Sequence, residues 1–186
     1  IKNIDYSITA NNIPHKPDSC YSERLVRFSR LPFNYSKPSI NEKNLTNENS
    51  INFEGKFNIG LTQSLFKFHP DYDEILESIL KKIKNSYLIL IKDKYDYITK
   101  ELQNRWENKS KLLIERSIFL NRMSNDDFIN TTKNCDIMLD PFYIGCGNTY
   151  YEAMAFGVPF ITFSDNQIGS LVASGYSQMG VKNPPI

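Results

Sequence analysis

Residues 135–163, CDIMLDPFYIGCGNTYYEAMAFGVPFITF, leave little choice of fold. Ile137 to Leu139 form a short apolar run closed by Asp140-Pro141, the pattern of a buried strand. Gly145-Cys146-Gly147 follows, a turn whose missing side chains let a ligand approach the backbone. Asn148 or Thr149 suits a helix N-cap, and residues 151–156 read as a short helix. Gly157 ends it as a C′ residue, and residues 158–161 start the next strand. Strand, glycine turn, helix and strand make a βαβ unit, whose helix N-terminus is a ready anion site.

The flanking sequence extends the same alternation. Strands are expected near 57–61, 86–91, 114–120, 136–139 and 158–163, separated by helical patterns. Residues 86–91 are almost continuously apolar, as in a parallel sheet covered on both faces. Asp71 is a candidate N-cap for a helix over 75–83, with Asp73 and Glu74 in the first turn complementing the helix dipole. Residues 95–108 carry Ile98, Leu102, Arg105 and Trp106 at helical spacing, and Leu102 with Trp106 reads as core packing. Residues 109–111 read as a turn. Ser124 with Asp127 three residues later predicts a helix over 126–133, and another begins at 171–179. The fold class predicted is α/β, a Rossmann-like doubly wound parallel sheet with its ligand at the carboxyl ends of the strands. Lys67 falls at such an end, between a predicted strand and a predicted helix.

Ahead of this unit, residues 4–9 alternate as a strand, 11–17 carry turn chemistry, and 21–31 continue with a second extended stretch. His15, between two prolines, is expected to be solvated. Residues 36–50 hold Pro38, four asparagines and scattered charges, so they read as the least ordered internal segment.

Composition narrows the partners. A net charge of +1, from 22 basic and 21 acidic residues, provides no field for holding nucleic acid. Three cysteines without CxxC spacing argue for reduced thiols in the cytoplasm and against a disulfide frame or a zinc site. No apolar run approaches membrane-spanning length, so no membrane partner is expected. Ile1 does not open a signal peptide, and the abrupt end at Pro184-Pro185-Ile186 suggests a piece of a longer chain.

The stretch LDPFYIGCGNTYYEAMAFGVPFIT resembles the signature of the protein O-linked N-acetylglucosamine transferases and their bacterial TPR-linked relatives. An IDYSIT strand followed by a YSERL segment near the start is similar to the same family. The resemblance implies that Gly147, Asn148 and Thr149 hold the diphosphate of a UDP-sugar and that Glu152 takes the ribose. Animal members read His-Thr-Thr where this chain has Gly-Asn-Thr, so one imidazole contact is missing here. A lysine after the first strand contacts the sugar diphosphate in the family, and a glutamine just before it lies near the uracil. Lys67 and Gln63 match, with one more residue between the two than in animal members. Asn125 and Phe128 stand where those enzymes supply a lysine and a histidine, and Arg122 is a nearby cation. An Asp-x-Asp at Asp71 and Asp73 matches the manganese pattern of another glycosyltransferase class, but helix capping is the preferred reading.

By this resemblance the chain is the C-terminal half of a GT-B glycosyltransferase, incomplete at both ends. Residues 1–35 would end the N-terminal Rossmann-like half, 36–52 would be the linker, and 53–186 the nucleotide-sugar domain. The implied activity is inverting and metal-independent, with no cofactor. The donor would be a UDP-sugar, UDP-N-acetylglucosamine in the first place, and the acceptor a Ser or Thr of protein. Lys67 would be the catalytic cation. The general base is expected in the N-terminal half, preceded by TPR repeats of ~34 residues, so this portion alone is expected to be inactive. His69 is expected to pack at the helix entry. Two alternatives stand beside this: a non-catalytic nucleotide-sugar-binding module, and a nucleotide-sugar epimerase of the same architecture. GDP-fucose enzymes share the architecture too.

Overall fold

The computed structural model describes residues 3–11, 13, 17–46, 53–163 and 170–182. His15, positions 47–52 of the expected linker and positions 164–169 lie outside the described residues.

Two parallel sheets are present among them. The smaller pairs β1 (Tyr6–Ala10) with β2 (Arg24–Phe28), in register from Tyr6 opposite Arg24 to Ala10 opposite Phe28. The larger has five strands: β3 (Phe57–Leu61), β4 (Ser86–Ile91), β5 (Ser117–Leu120), β6 (Ile137–Leu139) and β7 (Phe160–Ile161). Their order is β5-β4-β3-β6-β7, all parallel. The chain starts in the middle, winds out to one edge, then crosses back to wind out to the other. This is the doubly wound, Rossmann-like topology, and it puts the switch point between β3 and β6.

Side-chain alternation along the strands feeds two apolar layers. Ile59, Leu61, Leu88 and Leu90 pack against Leu76 and Leu80 of α1 (Pro70–Lys82), Leu102 and Trp106 of α2 (Asp96–Lys109), and Leu113 of α3 (Lys111–Glu115). Ile89, Met138 and Phe160 face the opposite way, onto Tyr150 and Ala153 of α5 (Asn148–Ala155) and Val172 and Tyr176 of α6 (Ser170–Gln178). Helix α4 (Asn125–Lys133) lies beside α5. The approach between α5 and α6 is close: a Cβ on Gly175 would stand 2.0 Å from the Tyr150 hydroxyl.

Four elements differ from the sequence expectation. Helix α1 starts at Pro70, earlier than expected, because proline suits the first helical position and His69 caps it. His69 Nδ1 accepts from the Asp71 N–H at 3.3 Å, so Asp71 is not the cap. Residues 111–115 are helical where the strand was expected to begin, so β5 is confined to Ser117–Leu120. The apolar Leu112-Leu113-Ile114 run packs as a helical turn against the first core layer. The described part of the expected linker is pinned. Asn44 Nδ2 donates to Asp126 Oδ2 at 2.8 Å, and the Thr46 N–H donates to Asp127 Oδ1 at 2.9 Å. The N-cap position of helix α5 falls to Gly147, which has no side chain to cap with, and not to Asn148 or Thr149.

Candidate functional site

The carboxyl ends of β3 and β6 converge at the switch point, and one side chain joins them. Lys67, half-buried at the end of a 3-10 turn over Leu65–Lys67, donates from Nζ to the Gly145 carbonyl at 3.0 Å and to Gln63 Oε1 at 3.1 Å. Both acceptors are neutral oxygens, so the ammonium charge is held at the glycine turn without being neutralised by either. The turn carrying Lys67 is itself anchored. Arg105 Nη2 donates to the Phe68 carbonyl at 2.9 Å, and the guanidinium grips buried Asp73 through two further 2.9 Å bonds.

Across the switch point, the glycine turn leads into α5. Gly147 has no side chain to close the helix, so the first-turn N–H groups of Asn148 and Thr149 lack a capping oxygen. A Cβ at Gly147 would meet nothing within 4 Å, so the space in front of this helix end is open. An uncapped N-terminus with open space before it favours an anion. Asp140, at the end of β6, fixes the turn from below. Its Oδ1 accepts from the Cys146 N–H at 2.6 Å, and its Oδ2 from the Thr162 hydroxyl at 2.8 Å. Burial raises the Asp140 carboxyl above its ordinary range, opposed by these hydrogen bonds and by the Lys67 charge. Burial likewise pushes the Cys146 thiol up, which removes it as a nucleophile.

Glu152 lies on the buried face of α5, 9% exposed and beyond the first turn. At the helical rise of 1.5 Å per residue it stands about 6 Å along the axis from Asn148. That is the scale of the separation between a diphosphate and its ribose. Its Oε1 accepts from the Tyr35 hydroxyl at 2.7 Å.

Beside Lys67, a cleft of about 320 Å³ opens between the ends of β3, β4 and β5, lined among others by Thr62, Gln63, Arg122, Asn125 and Phe128. Gln63 Nε2 and Thr62 Oγ1 are buried there without a hydrogen-bond partner among the described residues. Buried polar groups are nearly always satisfied, so two orphans on residues that line one cleft single it out as a polar site.

Of the residues singled out from sequence, Gln63, Lys67 and the glycine turn are in direct contact or adjacent, and Asn148, Thr149 and Glu152 follow on one helix. The Asp-x-Asp pair is divided. Asp73 is fully buried beneath Arg105 and Trp106, whereas exposed Asp71 accepts from Tyr143 at 2.8 Å. Among the described residues, no group of three or more His, Cys, Asp or Glu side chains is placed to hold a metal ion, and no helix is long and apolar enough to cross a membrane. His69 caps α1 and meets Tyr143 edge to face at 4.8 Å. Three contributors escaped the sequence reading: Tyr35, Thr62 and Asp140. Asp140 had a usable signal, since it directly follows a predicted strand at its carboxyl end. Tyr35 had none.

The five-stranded sheet and its helices form a Rossmann-like α/β fold that solved structures share. The chain is similar to a mutant of the Thermobaculum terrenum O-GlcNAc transferase, with a TM-score of 0.75 and 23% identity over 96% of this chain. It spans 34% of that structure's length, and at this identity the likeness is one of fold. Looser superpositions relate it to the pneumococcal O-GlcNAc transferase GtfA in complex with UDP and GlcNAc and to Anabaena HepE in complex with UDP and glucose. The TM-score is 0.49 for both, at 12% identity over 88% of this chain and 31% of GtfA, and 19% over 62% of this chain and 31% of HepE. No family model and no curated protein matches the sequence.

Proposed function

We propose that this chain is the donor-binding portion of an inverting, metal-independent glycosyltransferase. It takes a UDP-sugar, UDP-N-acetylglucosamine in the first place, and serves transfer to a Ser or Thr hydroxyl of protein. The Lys67 ammonium supports this: it bridges the loops after β3 and β6 at the switch point by donating to the Gly145 carbonyl, two residues before Gly147 at the uncapped start of α5. The fold shared with an O-GlcNAc transferase supports the reading.

In this arrangement the diphosphate lies between Lys67 and the N–H groups of Asn148 and Thr149, and Glu152 accepts from the ribose hydroxyls. The base enters the cleft lined by Gln63 and Thr62, whose orphan polar atoms find partners in its amide edge. As the glycosidic bond breaks, negative charge grows on the β-phosphate of the leaving UDP. A fixed ammonium and two helix-start amides stabilise that charge more than they stabilise the bound donor. One ammonium and two amide N–H groups offset part of the diphosphate charge, the task a metal ion performs in metal-dependent sites. The general base and the acceptor groove lie in the parts of the full-length enzyme that precede this portion.

Isothermal titration of the full-length protein with UDP, with and without EDTA, tests this. Binding that is indifferent to EDTA is expected. Failure of UDP to bind overturns the proposal, and binding abolished by EDTA overturns its metal-free form.

A further inference from the structure

A strap from outside the α/β unit reaches the carboxylate to which the ribose is assigned. It starts where the Leu31 N–H donates to Gln178 Oε1 at the end of α6, at 2.7 Å. It then runs along α5. Phe33 meets the Tyr151 ring edge-on at 6.4 Å, Tyr35 stacks on the same ring at 5.4 Å and 14°, and Lys37 Nζ sits 5.2 Å over the Phe156 ring. Three successive side-chain contacts along one helix fix where the Tyr35 hydroxyl falls, and it falls on Glu152, 117 residues away in the chain.

This contact is selective within the carboxylate. Tyr35 uses Oε1, and Oε2 takes no hydrogen bond from a described residue. A glutamate side chain has several rotamers to lose when it orders on a ligand. Here that ordering is done in advance, by a phenol whose own ring is held by stacking, and one oxygen is left free. Resting on the reading of Glu152 given above, we propose that Tyr35 is a positioning residue of the ribose subsite. It holds Glu152 by Oε1 so that Oε2 faces the ribose hydroxyls. The segment ahead of the five-stranded sheet thereby contributes to nucleotide selection without touching the nucleotide. Burial together with the Glu152 charge and hydrogen bond keeps the phenol protonated, its pKa pushed up to about 12, so the bond persists across the physiological range.

The test compares UDP with 2′-deoxy-UDP by calorimetry on the full-length protein: wild type, Tyr35→Phe, Glu152→Ala and the double variant. The wild type is expected to prefer UDP. Tyr35→Phe should cut that preference by roughly 3- to 10-fold, the scale of one hydrogen bond. In the Glu152→Ala background it should change nothing further, because its effect passes through that carboxylate. Circular dichroism and the unfolding midpoint show whether Tyr35→Phe remains folded, and Tyr35→Trp, which keeps a stacking ring but moves the donor, gives the same reading independently. A wild type that prefers UDP alongside a Tyr35→Phe variant with the same preference overturns the inference and leaves the site reading intact. Tighter UDP binding by Tyr35→Phe also overturns it, making Tyr35 a competitor for Glu152. A wild type that does not distinguish the two nucleotides overturns both the ribose role of Glu152 and the role of Tyr35.

Discussion

Replacing Asp73 with alanine separates a structural carboxylate from a metal ligand. Asp73 is fully buried and accepts from Arg105 Nε and Nη2, each at 2.9 Å, and from Trp106 Nε1 at 2.8 Å. Without the carboxylate, the indole N–H is stranded in the first core layer, where Trp106 has no exposure, at a cost of about 1–3 kcal/mol. The Arg105 side chain is 29% exposed and can recover part of its hydration, so its charge does not add the full penalty of a stranded ion. The sum is about 3 kcal/mol, at the lower end of the 3–5 expected when a buried pair loses one member. Asp73→Asn should cost less, because its amide oxygen still accepts from the indole. Urea unfolding followed by circular dichroism measures both, with the single tryptophan as a second probe. Loss of the Arg105 anchor also frees the Phe68 carbonyl, so the turn carrying Lys67 should loosen. An Asp73→Ala variant of wild-type stability that loses a manganese-dependent activity would refute this reasoning.

Lys67→Ala in the full-length enzyme should lower kcat by ~10²–10³-fold, the scale of removing one preorganised donor from a developing charge, while donor binding falls far less. Lys67→Arg should rescue poorly, since a planar fork does not replace a compact ammonium between Gln63 and the Gly145 carbonyl. Glu152→Ala should weaken UDP by ~1–3 kcal/mol in calorimetry through lost charge-assisted hydrogen bonds; an unchanged affinity would remove it from the site. Hydrogen bonds from the Thr46 backbone, Ser124 and the Thr46 hydroxyl hold the Asp127 carboxyl below its ordinary value of 3.8. Its contribution is therefore fully present above that pH and is lost as pH falls through the lower folded value. The protection factor of the Thr46 amide should accordingly fall in acid, and Asp127→Asn should abolish that pH dependence.

The central strands were legible because burial on both faces demands near-continuous apolar runs; residues 86–91 supply one, and residues 57–61 are broken only by Asn58. The β5 boundary was not, since Leu112-Leu113-Ile114 suits a buried helical turn as well as a strand. The start of α1 was hidden because histidine is an unusual cap and Asp71 a usual one. Lys67 stood out by its place at the carboxyl end of a strand together with the family resemblance, and Gln63 through the resemblance alone. Pairings far apart in sequence leave no local pattern. The Tyr35–Glu152 bond and the docking of residues 41–46 on Asp126 and Asp127 belong to that class. Asp73 was read as a dipole acid, and only the packing of α2 against α1 shows that it carries a guanidinium and an indole.

A crystal structure of the full-length protein with UDP decides whether a nucleotide diphosphate lies between Lys67 and the start of α5. The proposed site predicts β-phosphate oxygens within hydrogen-bond reach of Lys67 Nζ and of the Asn148 and Thr149 amides, about 2.7–3.2 Å. It also predicts the ribose on Glu152 and no metal on the diphosphate. UDP bound away from the switch point, or a diphosphate held through a metal ion, would contradict it.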